Sequence, residues 1–219
     1  MSNPNTGSSR CSICLDEAMA TIALIVYIVW IAITFIGKSV AMKRRTGSTG
    51  FHGMSEEEGP VARFAGLLII LGSLGALAAP VLELIGTIEP FGFMEAGWAG
   101  PVGLGLALAG AAISLRAQAE MGESWRIGVE PGERTELVTD GLFGLSRNPF
   151  FAAVYLFALG LFLMVPNPVA LIAGICLFFG FEIQVRVVEE PNLSEVFGQD
   201  YESYGRRVGR FLPGIGRLG

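Results

Sequence analysis

Residues 141–190 read GLFGLSRNPFFAAVYLFALGLFLMVPNPVALIAGICLFFGFEIQVRVVEE. From Asn148 to Phe181 the chain runs 34 residues without a formal charge. About 20 apolar residues suffice to cross a bilayer, so the run is too long for one span. Pro166-Asn167-Pro168 interrupts it. Proline lacks an N–H donor and clashes within a helix. The segment therefore reads as two antiparallel helices with a tight turn at Asn167. Arg147 opens this hairpin, and Glu182, Arg186, Glu189 and Glu190 gather at its far end.

The rest of the chain agrees with a membrane reading. Of 219 residues 52% are hydrophobic and 16% charged, against about a quarter charged in soluble domains. Three further stretches, 18–37, 64–82 and 96–115, are free of charge. These observations predict an all-α integral membrane protein of five transmembrane helices, at about 17–37, 61–83, 97–116, 149–165 and 168–190. Residues 1–16 are expected to form a disordered outer tail. Residues 17–219 are expected to make one membrane domain, with a polar segment at 191–219 after the last helix. The first apolar stretch is followed by Lys43-Arg44-Arg45 and lacks a small-residue cleavage site, which favours a retained helix over a signal peptide.

Orientation follows from Lys and Arg. With the N-terminus outside, 14 of the 15 basic residues fall on the inner segments 38–63, 116–149 and 183–219. Only Arg10 lies outside, and the outer loop carries Glu83, Glu89 and Glu95. The net charge of −5 thus conceals a basic inner face and gives no reason to expect nucleic acid. Metal binding is also disfavoured. Cys11 and Cys14 form a lone C-x-x-C, Cys176 is within a helix, and His52 falls on the opposite side of the membrane. A zinc site needs about four ligands.

Two inner segments hold more than a linker requires. The 116–149 connection contains Trp125, Ile127, Leu137, Val138, Leu142 and Phe143, and the tail carries Leu193, Val196, Phe197, Tyr201 and Tyr204 near helical spacing. They are expected to close an inner-face pocket. Helical rise supplies its depth. Arg147 lies 20 residues before Asn167 and Glu189 22 residues after it, roughly 30 Å and 33 Å along the two helices. Both reach the same inner level. At 100° per residue Glu182, Arg186, Glu189 and Glu190 share an arc of about 100°, which must face protein or water rather than lipid. Such a stripe suits a ligand with an ammonium, a sulfonium or a ribose diol.

The segment GLFGLSRNPFF, the hairpin, and VRVVEEPNLSEVFGQDYESYGRRVGRFLP together resemble the isoprenylcysteine carboxyl methyltransferase family and the related phospholipid methyltransferases. The family pattern is Gly-x-[Tyr/Phe]-x-x-x-Arg-His-Pro-x-Tyr, a hairpin, then Arg-x-x-x-Glu-Glu-x-x-Leu-x-x-x-Phe-Gly-x-x-Tyr-x-x-Tyr and a closing Pro. Arg186, Glu189, Glu190, Leu193, Phe197, Gly198, Tyr201, Tyr204 and Pro213 stand in register, whereas the family His is Asn148 and the family Tyr is Phe151. The resemblance implies S-adenosylmethionine (SAM) held by Val138, Gly141, Leu142, Phe143, Asn148, Phe151, Glu189, Glu190, Leu193, Tyr201 and Tyr204. It implies methyl transfer to a lipophilic acceptor entering from the bilayer, a prenylcysteine-like or other lipid-like carboxylate. Arg147 is the candidate catalytic residue, since its planar fork suits an anionic acceptor. A short five-span chain fits a bacterial plasma membrane with a cytosolic C-terminus. A membrane NAD(P)H-dependent reductase of the sterol type and a non-catalytic scaffold of the same fold are the competing readings.

Overall fold

The computed structural model describes residues 6–37, 39–40, 43–44, 59–92, 97–122 and 137–219, with backbone alone over 6–14. The Cys11 and Cys14 side chains, the His52 loop, Glu95, Trp125 and Ile127 lie outside the described residues. The helices are α1 (Thr6–Ile31), α2 (Pro60–Leu84), α3 (Ala99–Met121), α4 (Pro149–Met164), α5 (Pro168–Ile183), α6 (Glu190–Phe197) and α7 (Gln199–Arg207). The all-helical class is as expected. Among the described residues four helical segments are long and apolar enough to cross a membrane, and α4 is a shorter apolar helix of 16 residues, about 24 Å long.

Several boundaries differ from the sequence reading. The first helix starts at Thr6, within the stretch expected to be disordered to residue 16. Residues 8–36 contain neither Gly nor Pro, so nothing local stops the helix from extending backwards. Its last turn widens into a π-helix over Ala32–Gly37. The third helix runs to Met121 rather than 116. The fifth does not stop at 190: α5 passes through a π-helical stretch, Gln184–Glu189, into α6. Pro191 follows directly and cannot donate to the preceding turn; a locally wider helix absorbs that defect.

Prolines begin α2, α4 and α5 within their first two positions, where a missing N–H costs nothing. The hairpin turns at Asn167, fully buried. Its Oδ1 accepts from the Ala170 N–H at 2.9 Å, and its Nδ2 donates to the Ala79 carbonyl and to Glu83. The turn is thereby tied to the C-terminal end of α2.

Helix α4 packs mainly on α3 and α5 on α2, with α1 lying against both pairs. Trp30 stacks on Phe157 with centroids 4.4 Å apart, and its indole N–H donates to Ser114 Oγ at 2.9 Å. Tyr27 donates to the Ser73 carbonyl at 2.7 Å. These polar contacts select helix partners where apolar burial gives little preference. The α3–α4 seam depends on small residues. A Cβ on Gly160 would press into the backbone of Ala107 and Gly103, and one on Gly103 would lie 2.6 Å from the Gly160 carbonyl. Gly160→Val is therefore expected to lower stability by about 1–3 kcal/mol or more. Thermal unfolding in nanodiscs checks this, and a melting temperature within 1 °C of the parent would refute the seam. A small apolar crevice lined by Ala23, Ala79, Leu161, Val165, Ala170 and Leu177 lies near the hairpin turn. It holds no group for chemistry, and the charges gather at the other end.

Candidate active site

At the end of the bundle opposite the hairpin turn, the end expected to face inward, the start of α4 meets the end of α5 and the C-terminal segment. Arg147 precedes Pro149, which sets the entry to α4. The Arg147 N–H donates to the Gly209 carbonyl at 2.9 Å, and that of Asn148 to the Arg210 carbonyl at 3.0 Å. Ser146 and Gly209 form an isolated parallel bridge. The segment after α7 therefore lies as a strap along 146–148. Ser146 Oγ and Asn148 Nδ2 also donate to the Arg210 carbonyl, each at 3.1 Å.

The Arg147 side chain is 1% exposed. Nη1 donates to the Gly205 and Val208 carbonyls at 2.9 and 3.3 Å. Nη2 donates to Glu190 Oε1 at 2.5 Å and to the Gly216 carbonyl at 3.1 Å. Nε is buried without a hydrogen-bond partner among the described residues. Glu190 is gripped from a second side: Arg210 Nε reaches Oε1 and Nη2 reaches Oε2, both at 2.8 Å. One carboxylate thus joins α4, the α5–α6 junction and the strap through two guanidinium groups. The hydrogen bond to Glu190 raises the pKa of Arg210 further.

The expected acidic stripe is split. Glu182 pairs with Arg186 at 2.5 Å, with Arg186 55% exposed. Glu190 turns inward to the arginines. The π-helical stretch at Gln184–Glu189 shifts the register between them, which a constant 100° per residue cannot reproduce. Glu189 has neither a hydrogen bond nor an ion pair among the described residues, and it sits half-buried beside Glu190.

The remaining predicted positions fall into two groups. Tyr204, Phe143, Leu142 and Asn148 build the frame. Tyr204 donates to the Phe143 carbonyl at 2.6 Å. The Leu142 N–H donates to Glu120 Oε2 at 2.7 Å, and Glu120 also accepts from Arg116. Gly141 has φ +59, a conformation that disfavours any side chain, and a Cβ built there would lie 2.6 Å from Glu120 Oε2. The 138–144 turn is thus moored on the C-terminal end of α3. Tyr201 is fully buried, its hydroxyl without a hydrogen-bond partner among the described residues; burial, and then the Glu190 carboxylate, push its phenol up to about 12. Phe151 packs against Phe181 with ring centroids 4.7 Å apart and planes tilted by 33°. Val138 and Leu193 are half-buried. The tail faces do not form one helix, because Gly198 at φ +53 breaks α6 from α7.

Sequence reasoning missed Arg210, Glu120 and Ser146. Arg210 counted only as an inner-face base, and its pairing depends on how the strap folds. Glu120, four residues after Arg116, had a local signal as an i,i+4 pair, but nothing in the spacing announced Leu142 as its second partner.

The chain resembles known proteins over this region. A family model described as Phospholipid methyltransferase matches residues 98–200. Protein-S-isoprenylcysteine O-methyltransferase B of Arabidopsis thaliana is 28% identical over 141 residues, covering 63% of this chain and 72% of that one. The Saccharomyces cerevisiae protein-S-isoprenylcysteine O-methyltransferase is 33% identical over 79 residues, 36% of this chain and 33% of that one. The solved eukaryotic intramembrane Ras methyltransferase ICMT superposes with a TM-score of 0.58 at 18% identity, covering 95% of this chain and 75% of that one. At that identity the likeness concerns the fold.

Proposed function

We propose, for a chain that is a member of the isoprenylcysteine carboxyl methyltransferase family related to the phospholipid methyltransferases, SAM-dependent methyl transfer to a lipophilic acceptor at the inner face. The single observation carrying this reading is the pairing at the α5–α6 junction: Glu190 is neutralised by two arginines, while the adjacent Glu189 has no partner among the described residues. An unpaired, half-buried carboxylate fits a cationic cofactor.

The residues present fit SAM in this way. Glu189 would hold the ammonium or ribose. The moored 138–144 turn and the tail residues Leu193 and Tyr201 would surround the rest. Phe151, in place of a phenol, contributes an apolar wall. Asn148 supplies hydrogen bonds to the strap and does not titrate. When bound, SAM supplies a methyl group on a sulfonium, so an acceptor oxyanion takes the methyl and the sulfur keeps the bonding electron pair. No proton moves, and the chain needs no general base. Its own part is to align the two ligands and keep water away. Arg147 acts through the frame rather than on the acceptor, since its donors are already engaged and its Nε is enclosed.

Calorimetric titration of the protein in nanodiscs with SAM, and separately with NADPH, tests this reading. Saturable SAM binding and no NADPH binding are expected. NADPH binding alone would give the site to a reductase, and binding of neither would leave a scaffold.

The same reading puts the C-terminal side in the cytosol of a bacterial cell. Cysteine placed at the exposed Ser203 should resist an impermeant thiol reagent in sealed right-side-out cells, and cysteine at the exposed Thr87 should react. The reverse pattern would overturn the orientation.

A further inference from the structure

Arg210 and Arg147 share Glu190 but are not equivalent. Arg147 commits both terminal nitrogens to four acceptors, and its side chain is 1% exposed. Arg210 uses Nε and Nη2 on Glu190, and its side chain is 14% exposed. No described residue accepts a hydrogen bond from Arg210 Nη1. The frame therefore has one guanidinium edge left for a ligand.

The next residue, Phe211, packs on the transmembrane helices. Phe211 meets Tyr155 of α4 edge-on at 5.4 Å. Tyr155 lies 5.6 Å from Phe178 of α5, and Phe178 lies 5.4 Å from Phe179. Phe178 and Phe179 are 47% and 54% exposed on a spanning helix. Two consecutive strap residues, one cationic and one aromatic, thus connect the polar frame to a lane of rings that opens onto hydrocarbon.

We propose that Arg210, through Nη1, binds the anionic head of a single-chain amphiphilic acceptor whose hydrocarbon lies along Phe211, Tyr155, Phe178 and Phe179. This rests on the methyltransferase reading of the same site and names the residue that selects the acceptor. Charge supports the arrangement. Glu182 beside the lane is neutralised by Arg186, and Glu190 by two arginines. Glu189 is assigned to the cofactor's cation. An anion approaching Arg210 therefore meets a free donor edge in a partly desolvated place, where a charge-assisted hydrogen bond is strong. Glu190 keeps its partners throughout, so head binding does not dismantle the frame.

The test uses two photoreactive probes, each with a dodecyl chain bearing a diazirine, one with a sulfonate head and one with a hydroxyl head. Parent, Arg210→Gln and Arg210→Lys proteins in nanodiscs are irradiated with each, and adducts are mapped by mass spectrometry. The sulfonate probe should mark peptides containing Tyr155, Phe178 or Phe211 in the parent. Its yield should fall roughly ten-fold or more in Arg210→Gln, on the order of one lost charge-assisted hydrogen bond, and several-fold in Arg210→Lys. The hydroxyl probe should label all three proteins alike and weakly. Melting temperatures identify folded material, and Arg210→Lys carries the comparison if Arg210→Gln does not fold. Equal sulfonate labelling in parent and variants, or adducts confined to other helices, would overturn the proposal. SAM calorimetry on the same samples is independent: absent SAM binding to the parent would defeat the methyltransferase reading, whatever the labelling shows.

Discussion

Arg147→Ala should unfold the inner end of the molecule at a temperature about 10 °C below the parent. The substitution removes one of two cations from a buried carboxylate and strips the donor from the Gly205, Val208 and Gly216 carbonyls. Breaking a buried ion pair by deleting one partner costs about 3–5 kcal/mol. For a chain of this size each kcal/mol is worth roughly 2–4 °C. Arg147→Lys should recover only part of the loss, because an ammonium cannot span both sides of the fork. The measurement is thermal unfolding in nanodiscs, read on the strap by limited proteolysis after Arg206 or Arg207, both exposed. A shift below 2 °C with an intact strap would mean that Arg147 is a ligand-binding residue after all and not a keystone.

The second large effect separates two neighbouring carboxylates. Glu189→Gln should keep the parent melting temperature and lose about ten- to a hundred-fold in SAM affinity, the loss of one charge-assisted hydrogen bond, about 1.5–3 kcal/mol. Glu190→Gln should do the reverse. It leaves two arginines facing a neutral amide in a place where Glu190 itself is 8% exposed, so stability should fall first, and binding only in consequence. Calorimetry and melting on the same samples distinguish them. If Glu189→Gln binds SAM as the parent does, the cofactor pocket lies elsewhere on the inner face.

Much of this arrangement was legible in residue order. Pro166-Asn167-Pro168 within a charge-free run announced the hairpin, and counting helical rise from Asn167 brought Arg147 and Glu190 to one level, where they do meet. Counting also carried a hidden assumption. A uniform 100° per residue put Glu182 and Glu190 on one face, and the π-helical turn before Pro191 removes one from the other. The surroundings of Arg147 were not legible for a related reason. Its competitors for an acceptor are backbone carbonyls of residues 205–216, and carbonyls are invisible to residue type. Arg210 was illegible because Gly198 at φ +53 ends the helical phase that would have related it to Glu190. The start of α1 at Thr6 falls within the stretch expected to be disordered, where polar composition was weighed above the absence of a helix breaker from Ser8 to Ile36.

The carbonyls around Arg147 have a further consequence for how the protein is made. The ribosome adds Arg147 before Glu190 and before Gly205, Val208 and Gly216. At about 5–20 residues per second, the 69 positions from Arg147 to Gly216 occupy roughly 3–14 s. Helices α4 and α5 are both synthesised within that interval, before any of the four acceptors of the Arg147 side chain, and Gly216 comes last of those four. A nascent chain is thus a set of inserted helices first and a completed site last, and a translation stall before the strap would leave an inserted protein with its inner end unassembled.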